Sequence, residues 1–402
     1  MTRPIAVLAY SGGLDTSFCI KYLTEERGYD VHAVLVNTGG HTDSELKEVE
    51  KRAYTLGASK FHCLDKVHRF YRDCIRYLIF GNILRNQTYP LSVSAERVFQ
   101  GLGVLEYAKH VGASCVAHGS TGAGNDQVRF DIIFHALGGE ELEIITPIRD
   151  MHLSRQAEMD YLKEKGIEIS WEKAQYSINQ GLWGTSVGGK ETLTSHQPLP
   201  EAAFPYKLEQ TGTMEITLLF EQGELRGIDD QTFPEPVKAI EQLHSISAPF
   251  GIGRDIHVGD TIIGIKGRVG FAAPAPLIII KAHHLLEKHT LSKWQQYWKE
   301  QLGNWYGMLL HEGQYLDPVM RDIEAFLENS QSSVTGKVGI RLRAYGFDLL
   351  GVESPFDLMQ AQFGQYGETS NAWTSDEAKG FIKVLSTPHR IFYSVHGYKF
   401  KT

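Results

Sequence analysis

The segment IAVLAYSGGLDTS, residues 5–17, decides the fold of this 402-residue chain. An apolar run of strand length leads into two adjacent glycines, and a helix-forming pattern follows them. Paired glycines allow a sharp turn that brings backbone amides close to an anion, and the N-terminal end of the next helix adds positive charge. Ser11, Thr16 and Ser17 offer hydroxyl groups to phosphate oxygens. The segment therefore predicts a strand, a phosphate-binding loop and a helix.

Two other phosphate-binding patterns are absent from the sequence. The loop lacks the lysine of the G-x-x-x-x-G-K-[ST] motif, and no G-x-G-x-x-G occurs in the chain, which argues against a dinucleotide enzyme. The loop resembles instead the S-G-G-x-D-[ST] signature of the ATP pyrophosphatase (PP-loop) family. That resemblance implies a loop that holds pyrophosphate as the leaving group while a substrate attacks the α-phosphate.

Short apolar segments alternate with amphipathic helices up to about residue 168. The helix between the second and third strands is the clearest, because Thr42 and Glu45 form a capping-box pattern and Gly57 ends it. Strands that alternate with helices form a parallel sheet covered on both faces, and ligands bind beyond the carboxyl ends of its strands. The predicted strands are residues 5–10, 31–37, 60–64, 114–118 and 143–147.

The pattern changes after residue 169. Residues 213–220 and 337–345 alternate apolar and polar side chains, as strands with one buried face do. The helical segment 291–310 carries an aromatic and aliphatic stripe along one face, which we interpret as core packing. The stripe consists of Trp294, Trp298, Leu302, Trp305 and Leu309.

These patterns predict an α/β protein in three parts. The first is a Rossmann-like, parallel-sheet nucleotide-binding domain, residues 1–168, and the second is a mixed α+β domain for substrate binding and multimerisation, residues 169–372. The third is a helical tail, residues 373–402, which begins at a capping-box pattern of Thr374 and Glu377. The tail docks on a neighbouring subunit or on its own domain, and the sequence does not decide between them.

Composition excludes several classes of protein. The 42% hydrophobic and 22% charged residues are typical of a globular chain, and a net charge of −8 argues against a nucleic-acid binder. No apolar run approaches the ~20 residues of a membrane span, and no targeting segment is visible. No C-x-x-C pair occurs, so we interpret the cysteines as buried apolar residues of a cytoplasmic protein. They are Cys19, Cys63, Cys74 and Cys115.

A second glycine-rich segment, HGSTGAGNDQVRF at residues 118–130, follows the fourth predicted strand. It therefore lies at the same edge of the sheet as the first loop. Thr121, Asn125, Asp126 and Arg129 supply a hydroxyl, an amide, a carboxylate and a guanidinium, which together can hold a zwitterionic amino acid. A glycine-rich loop that merely caps the next helix has the same pattern, so the segment alone leaves a structural role open.

Together, AYSGGLDTS and HGSTGAGNDQVRF closely resemble the argininosuccinate synthases. Further blocks agree in the same order along the chain, and the resemblance thins after about residue 300. These blocks are TYPLSVSAER at 88–97, Pro147 with Arg149, YSINQGLWGTS at 176–186, and GIGRD at 251–255.

The resemblance implies an AMP-forming ligase of arginine biosynthesis that uses ATP with Mg²⁺. The ureido oxygen of citrulline would attack the α-phosphate to give a citrullyl-adenylate and pyrophosphate, and the amine of aspartate would then displace AMP. The resemblance also implies a cytoplasmic homotetramer whose C-terminal helix joins the subunits.

The resemblance assigns individual residues as well. ATP would contact Ala9, Tyr10, Ser11, Gly12, Gly13, Leu14, Asp15, Thr16, Ser17, Val36 and Gly119. Aspartate would contact Thr121, Asn125 and Asp126, and citrulline would contact Tyr89, Ser94, Asn125, Arg129, Ser177 and Ser186. Ser11, Asp15, Asp126 and Arg129 are the residues expected to act in catalysis, and no side chain is expected to ligate a metal ion directly.

The chain departs from the family pattern at four positions. Ala123 and Gly40 stand where members usually have lysine and glutamine. Ala272 stands for a glutamate at the α-amino end of citrulline, and Ile280 for a tyrosine that also touches citrulline. An ammonium left without its carboxylate costs about 1.5–3 kcal/mol, which corresponds to about ten- to hundredfold weaker binding of free citrulline.

Two explanations of these departures remain open. Either another acid such as Glu191 holds the ammonium, or the substrate amine is acylated, as in N-acetyl- or N-succinylcitrulline. Lys190, Arg268 or Lys281 would then pair with a succinyl carboxylate. More distant alternatives are a tRNA-modifying enzyme, which needs a basic surface, and a non-catalytic ATP-binding module, which leaves the second loop unexplained.

Overall fold

The computed structural model describes residues 3–167, 176–360 and 372–399. Contacts divide the chain into two compact units, Met1–Phe356 and Asp357–Thr402. The domain boundary predicted at residue 168 falls outside the described residues. Within the described residues, no helix combines the length and the apolarity that a membrane crossing requires.

A five-stranded parallel sheet forms the first half of the larger unit and confirms the predicted fold class. The strand order is β3-β2-β1-β4-β5, so the chain builds outward from β1 on one side and then crosses to β4 on the other. Ligands of such sheets bind where the strand order reverses, which here lies between the loops that follow β1 and β4. The strands are β1 (Ile5–Ala9), β2 (Asp30–Asn37), β3 (Lys60–Asp65), β4 (Cys115–His118) and β5 (Glu143–Ile145).

Capping residues, glycine and proline determine where the helices around this sheet begin and end. The capping box of Thr42 and Glu45 is present, and Gly57 ends the helix with a φ of +104°. Strand β5 is shorter than predicted because Pro147, which has no N–H to donate to the sheet, begins a helix instead. The helices are α1 (Leu14–Glu25), α2 (Asp43–Leu56), α3 (Val67–Phe70), α4 (Arg76–Phe80), α5 (Ser92–Val111), α6 (Asp126–Gly138), α7 (Pro147–Asp150) and α8 (Arg155–Glu164).

Antiparallel sheets and further helices form the second half, as the mixed pattern predicts. One sheet has the order β10-β9-β8-β13-β14, and the other has the order β11-β12-β7-β6. The strands are β6 (Ser177–Gly181), β7 (Gly184–Gly188), β8 (Met214–Glu221), β9 (Glu224–Ile228), β10 (Gln231–Thr232), β11 (Arg254–Asp260), β12 (Lys266–Ala272), β13 (Gly336–Arg343) and β14 (Gly346–Glu353). The helices are α9 (Pro236–Ser247), α10 (Pro274–Thr290), α11 (Lys293–His311) and α12 (Val319–Ser330).

The predicted alternation in β8 is confirmed over most of its length. Ile216, Leu218 and Phe220 are buried, whereas Met214 at the start of the strand is 44% exposed. On the neighbouring strand β13, Val338 and the apolar residues that alternate with it are buried in the same way. Both strands contribute to a core that also contains residues of the first sheet, so the two halves of the larger unit share one hydrophobic core.

The interpretation of the α11 stripe as core packing is wrong for its tryptophans. Trp294, Trp298 and Trp305 are 64%, 55% and 57% exposed. Periodicity correctly places these residues on one face, but α11 packs through another face that carries Tyr306 and Leu310, both fully buried. Helical periodicity identifies faces without determining which face the rest of the chain covers.

The interpretation of the cysteines holds for three of the four. Cys19, Cys74 and Cys115 are buried, and burial raises the pKa of each thiol. Cys63 is exposed instead, because it lies on β3 at the edge of the sheet.

A buried polar cluster joins the two halves of the larger unit. The Glu287 carboxylate accepts from Lys299 at 2.7 Å, from Asn82 at 2.5 Å and from Gln331 at 3.0 Å. Burial opposes ionisation of Glu287, but the positive charge of Lys299 outweighs it and the pKa of the carboxyl is lowered. The ammonium of Lys299 also donates to the carbonyl of Phe80 at 2.6 Å, so α4, α10 and α11 meet at one charge pair.

Lys299→Met should therefore destabilise the protein strongly. The substitution leaves the Glu287 carboxylate buried without its cation, at a cost of about 3–5 kcal/mol in the free energy of unfolding measured by urea titration. Lys238→Met is the matched control, since Lys238 is 64% exposed in its pair with Glu241 and its loss should cost less than about 1 kcal/mol. A loss at Lys299 as small as the control's would contradict the assigned role of the cluster.

The smaller unit contains two amphipathic helices, α13 (Ser375–Leu385) and α14 (Thr387–His396). The capping box of Thr374 and Glu377 is present, as predicted. No residue of either helix is buried within the described part of the unit. Its exposed apolar side chains include Phe381, Ile382, Val384, Leu385, Ile391, Phe392, Tyr393, Val395 and Tyr398.

Candidate active site

The loop between β1 and α1 presents its backbone as the sequence predicts. Gly12 has a φ of +76°, which favours glycine, and Gly13 caps α1 without a side-chain hydrogen bond to the helix amides. Those amides are therefore available to an anion. The hydroxyls of Ser11 and Thr16 lie 3.2 Å apart across the loop, and Arg52 on α2 donates to the Gly12 carbonyl.

The second loop, residues 119–125, packs directly on the first. A Cβ atom at Gly119 would lie 3.1 Å from the carbonyl carbon of Asp15 and 3.2 Å from the amide nitrogen of Thr16. A side chain at this position would push the two loops apart by a few tenths of an ångström. Asn125 at the end of the second loop accepts from the Ile262 amide at 2.8 Å, which ties the loop to the hairpin of β11 and β12.

Asp126 is the centre of a charged network beside these loops. Its carboxylate accepts from Arg97 and from Arg129, each at 2.9 Å. Burial opposes ionisation, but the two guanidinium groups outweigh it and lower the pKa of Asp126. Arg129 also donates to the His311 carbonyl at 2.8 and 3.0 Å, and Arg97 donates to Asn179 at 3.1 Å.

The two loops and this network surround a cavity of about 1040 Å³. All but one of the residues predicted for ATP, aspartate and citrulline line it, including Val36 and Gly119. The exception is Ser17, which is fully buried below the first loop. Residues predicted for the citrulline end come from the loop before α5 and from four elements, α5, α6, β6 and β7, which the fold brings together: Tyr89, Ser94, Arg129, Ser177 and Ser186.

Several basic residues of the cavity were not assigned to a substrate from the sequence. They are His41, Arg52, Arg97, His118, Arg155, His257 and His311. Arg268, a candidate partner of a succinyl carboxylate, also lines the cavity. Arg97 and His118 stand within blocks that resemble the family, whereas the others have no local pattern that identifies them.

Two of the residues that differ from the family pattern do not lie at the substrate cavity, where the resemblance implies them. Ala272 and Ile280 are buried and do not line the cavity, because β12 faces the cavity only through Gly267, Arg268 and Val269 before it enters the core. At Gly40, a Cβ atom would lie 2.8 Å from the backbone of residues 180 and 181, so no glutamine would fit there.

Asp15 faces a second carboxyl group, that of Glu158 on α8. Burial and the neighbouring Asp15 raise the pKa of the Glu158 carboxyl to about 8. Asp15 itself lines the cavity beside the first loop. Among the described residues, no group of three or more His, Cys, Asp or Glu side chains is arranged to hold a metal ion.

Comparison with known proteins decides the family. The model of the Arginosuccinate synthase N-terminal HUP domain matches residues 5–168, and that of the Arginosuccinate synthase C-terminal domain matches residues 176–392. The chain belongs to the argininosuccinate synthase family. The argininosuccinate synthase of Xanthomonas campestris pv. campestris is 36% identical over 98% of this chain and 100% of its own length.

Other members of the argininosuccinate synthase family are equally similar. The argininosuccinate synthase of Dictyoglomus turgidum is 37% identical over 98% of both chains, and that of Methanocaldococcus jannaschii is 37% identical over 90% of this chain and 92% of its own. This chain is accordingly an ATP-dependent ligase of the argininosuccinate synthase type, with a role in arginine biosynthesis.

Gly119→Ala should weaken ATP binding at least about tenfold, because a methyl group would push the second loop away from the Asp15 and Thr16 backbone. Gly122→Ala in the same loop is the control, since its Cβ atom would lie at an ordinary 3.6 Å from Arg149 and the dissociation constant should change less than about threefold. Calorimetric titration with ATP measures both. Equal effects of the two substitutions would contradict the close packing of the loops.

The contribution of Glu96 to the stability of the protein should fall as pH rises from about 4.5 to about 8. Burial raises the pKa of Glu96 to about 8, so Glu96 stays protonated in the folded protein over a range in which it ionises in the unfolded chain. The unfolded state then loses protons that the folded state keeps, which favours unfolding as pH rises. Glu96→Gln should flatten this decline in urea titrations, and Glu241→Gln at an exposed position should not. An unchanged slope in Glu96→Gln would contradict the assignment.

Proposed function

We propose that this enzyme forms argininosuccinate or its N-acylated counterpart by joining aspartate to the ureido carbon of citrulline or of an N-acylcitrulline. The observation that carries the proposal is the contact of the two glycine-rich loops at one edge of the parallel sheet. That contact places a phosphate-binding loop beside the polar set of Thr121, Asn125 and Asp126. A phosphate site and an amino-acid site in one cavity suit an AMP-forming ligation.

In the first step, the ureido oxygen attacks the α-phosphorus of ATP, the bond to the β-phosphate oxygen breaks, and pyrophosphate leaves. The open amides of the first loop and the hydroxyls of Ser11 and Thr16 bind the leaving group, whose negative charge the N-terminus of α1 stabilises. Mg²⁺ bound to the phosphates would neutralise further charge. Asp15, two residues after the glycine pair, is the cavity carboxylate nearest to this loop in sequence.

In the second step, the amine of aspartate attacks the ureido carbon, the carbon–oxygen bond to AMP breaks, and the amine loses its proton. Thr121 and Asn125 would hold the carboxylates of aspartate, and Asp126 would orient its amine. Asp126 is already fixed by Arg97 and Arg129, so it contributes through position more than through proton transfer. Tyr89, Ser94, Arg129, Ser177 and Ser186 would hold the ureido substrate.

Positioning is the main source of catalysis in this proposal. A ureido oxygen is a weak nucleophile, and the proposed mechanism requires no protein nucleophile. Alignment of the oxygen with the α-phosphorus and stabilisation of the developing charge on phosphate are therefore the effects that lower the barrier.

Subunit assembly and compartment are part of the same proposal. We propose a homotetramer in the cytoplasm, supported by the exposed apolar face of α13 and α14 and by four cysteines that form no disulfide. Light scattering should then give a mass about four times that of the 45.1-kDa chain. A monomer at micromolar concentration would contradict this assembly.

Pyrophosphate release tests the reaction. With ATP, Mg²⁺ and aspartate, the enzyme should release pyrophosphate and AMP only when citrulline or an N-acylcitrulline is added. Arg129→Lys should lower kcat/KM at least about tenfold, because lysine cannot hold Asp126 and the His311 carbonyl at once. Release that depends on tRNA would favour the tRNA-modifying alternative, and no release with any ureido compound would contradict the proposal.

A further inference from the structure

The citrulline end of the cavity contains a group of basic side chains without polar partners. His257 on β11 and His311 at the end of α11 both line the cavity and are 6% and 5% exposed. The Nδ1 atom of each is buried and has no hydrogen-bond partner among the described residues. Arg85 lies behind these two side chains and does not itself line the cavity, and its buried Nε atom also has no partner among the described residues. Buried polar atoms without partners are rare in folded proteins, and they commonly mark a bound group.

These three side chains lie close to one another and to the predicted substrate residues. Burial, the positive charges of Arg129 and Arg85, and His257 together lower the pKa of His311 to about 3. The ring of His257 stacks on that of Tyr89 at 5.2 Å. We call Arg85, His257 and His311 the basic subsite.

The carboxylates that line the cavity are all engaged elsewhere. Asp15 faces Glu158 beside the first loop, and Asp126 is held by Arg97 and Arg129. Asp260 is exposed and pairs with Lys266 at 2.6 Å. Among the described residues, the cavity thus offers no uncommitted carboxylate to the ammonium group of free citrulline.

The residues that sequence analysis offered as partners are also unsuitable. Arg268 donates to the carbonyls of Glu191 and Gln197, each at 3.2 Å. Lys281 lies over the ring of Phe347. Glu191 accepts from Tyr176 at 3.4 Å and does not line the cavity. The basic subsite replaces these candidates.

Gly259, two residues after His257 on β11, leaves room for the His257 imidazole in the subsite. Gly259 lines the cavity, and a Cβ atom there would lie 2.7 Å from His257 Nε2. A larger residue would displace the imidazole. The absence of a side chain at this position keeps His257 in its place beside Tyr89.

We propose that the basic subsite binds the terminal carboxylate of an acyl group on the α-nitrogen of the ureido substrate, so that the enzyme ligates aspartate to an N-acylcitrulline of the succinyl type. This inference rests on the proposed ligation. An acylated nitrogen carries no charge and needs no carboxylate partner. The acyl carboxylate accepts hydrogen bonds from His257 and His311, and the positive charge of Arg85 behind them stabilises it. Repulsion by Arg85 and Arg129 disfavours a free ammonium at the same place.

The first test compares three substrates with the wild-type enzyme. Pyrophosphate release is measured with ATP, Mg²⁺ and aspartate, and with citrulline, N-acetylcitrulline or N-succinylcitrulline. The kcat/KM for N-succinylcitrulline should exceed both others about ten- to hundredfold. A higher kcat/KM for citrulline or N-acetylcitrulline overturns this inference but leaves the proposed ligation supported. No pyrophosphate release with any of the three substrates overturns the proposed ligation itself.

The second test locates the carboxylate. His257→Glu introduces a negative charge beside the acyl carboxylate and should lower the ratio of kcat/KM for N-succinylcitrulline to that for N-acetylcitrulline at least about tenfold. His257→Gln retains an N–H donor and should change this ratio less than about threefold. Lys238→Gln, at an exposed position on α9, is the control for long-range charge and should leave the ratio unchanged.

Ratios between two substrates remain informative if a variant is partly unfolded. If His257→Glu yields no folded protein, Arg85→Gln, at a half-buried position, provides the same comparison and should also lower the ratio. An equal loss for all three substrates would show that the subsite binds a group common to them, such as the α-carboxylate of citrulline, and would overturn the inference.

Discussion

The carboxylate of Asp126 is the constraint on which the site depends. Arg97 and Arg129 each donate to it at 2.9 Å, and their positive charges lower its pKa. Through Arg129 it reaches the His311 carbonyl on α11, and through Arg97 it reaches Asn179 on β6. Asp126, at the start of α6, thus connects the parallel sheet of the first half to α11 and β6 of the second half.

The same coupling of the two halves recurs in the core. Lys299 and Glu287 form a charge pair that would be costly if either partner were missing, and it holds α4 of the first half against α10 and α11. Because α11 ends at His311, the position of the basic subsite depends on this packing. The cavity is therefore rigidly supported from the core on one side and by the Asp126 network on the other.

Local chemistry explains how much of the fold could be predicted from the sequence. Glycine pairs, capping boxes and strand alternation act within a few residues, so the first loop, α2 and β8 were predicted close to their observed positions. Contacts between distant segments of the chain leave no such local pattern in the sequence. The tryptophan face of α11 is exposed because the chain covers its other face, and Arg85, His257 and His311 come together from three distant segments without any shared pattern.

Oxygen-isotope transfer tests the central claim most directly. If the ureido oxygen attacks the α-phosphorus, a ureido substrate labelled with ¹⁸O must deliver its label to the phosphate group of AMP, one atom per turnover, and leave pyrophosphate unlabelled. Mass spectrometry of the two products resolves the outcomes. Labelled AMP is the result that this account predicts. Unlabelled AMP released together with the ligated product would contradict it, because the ureido oxygen would then have left by another route.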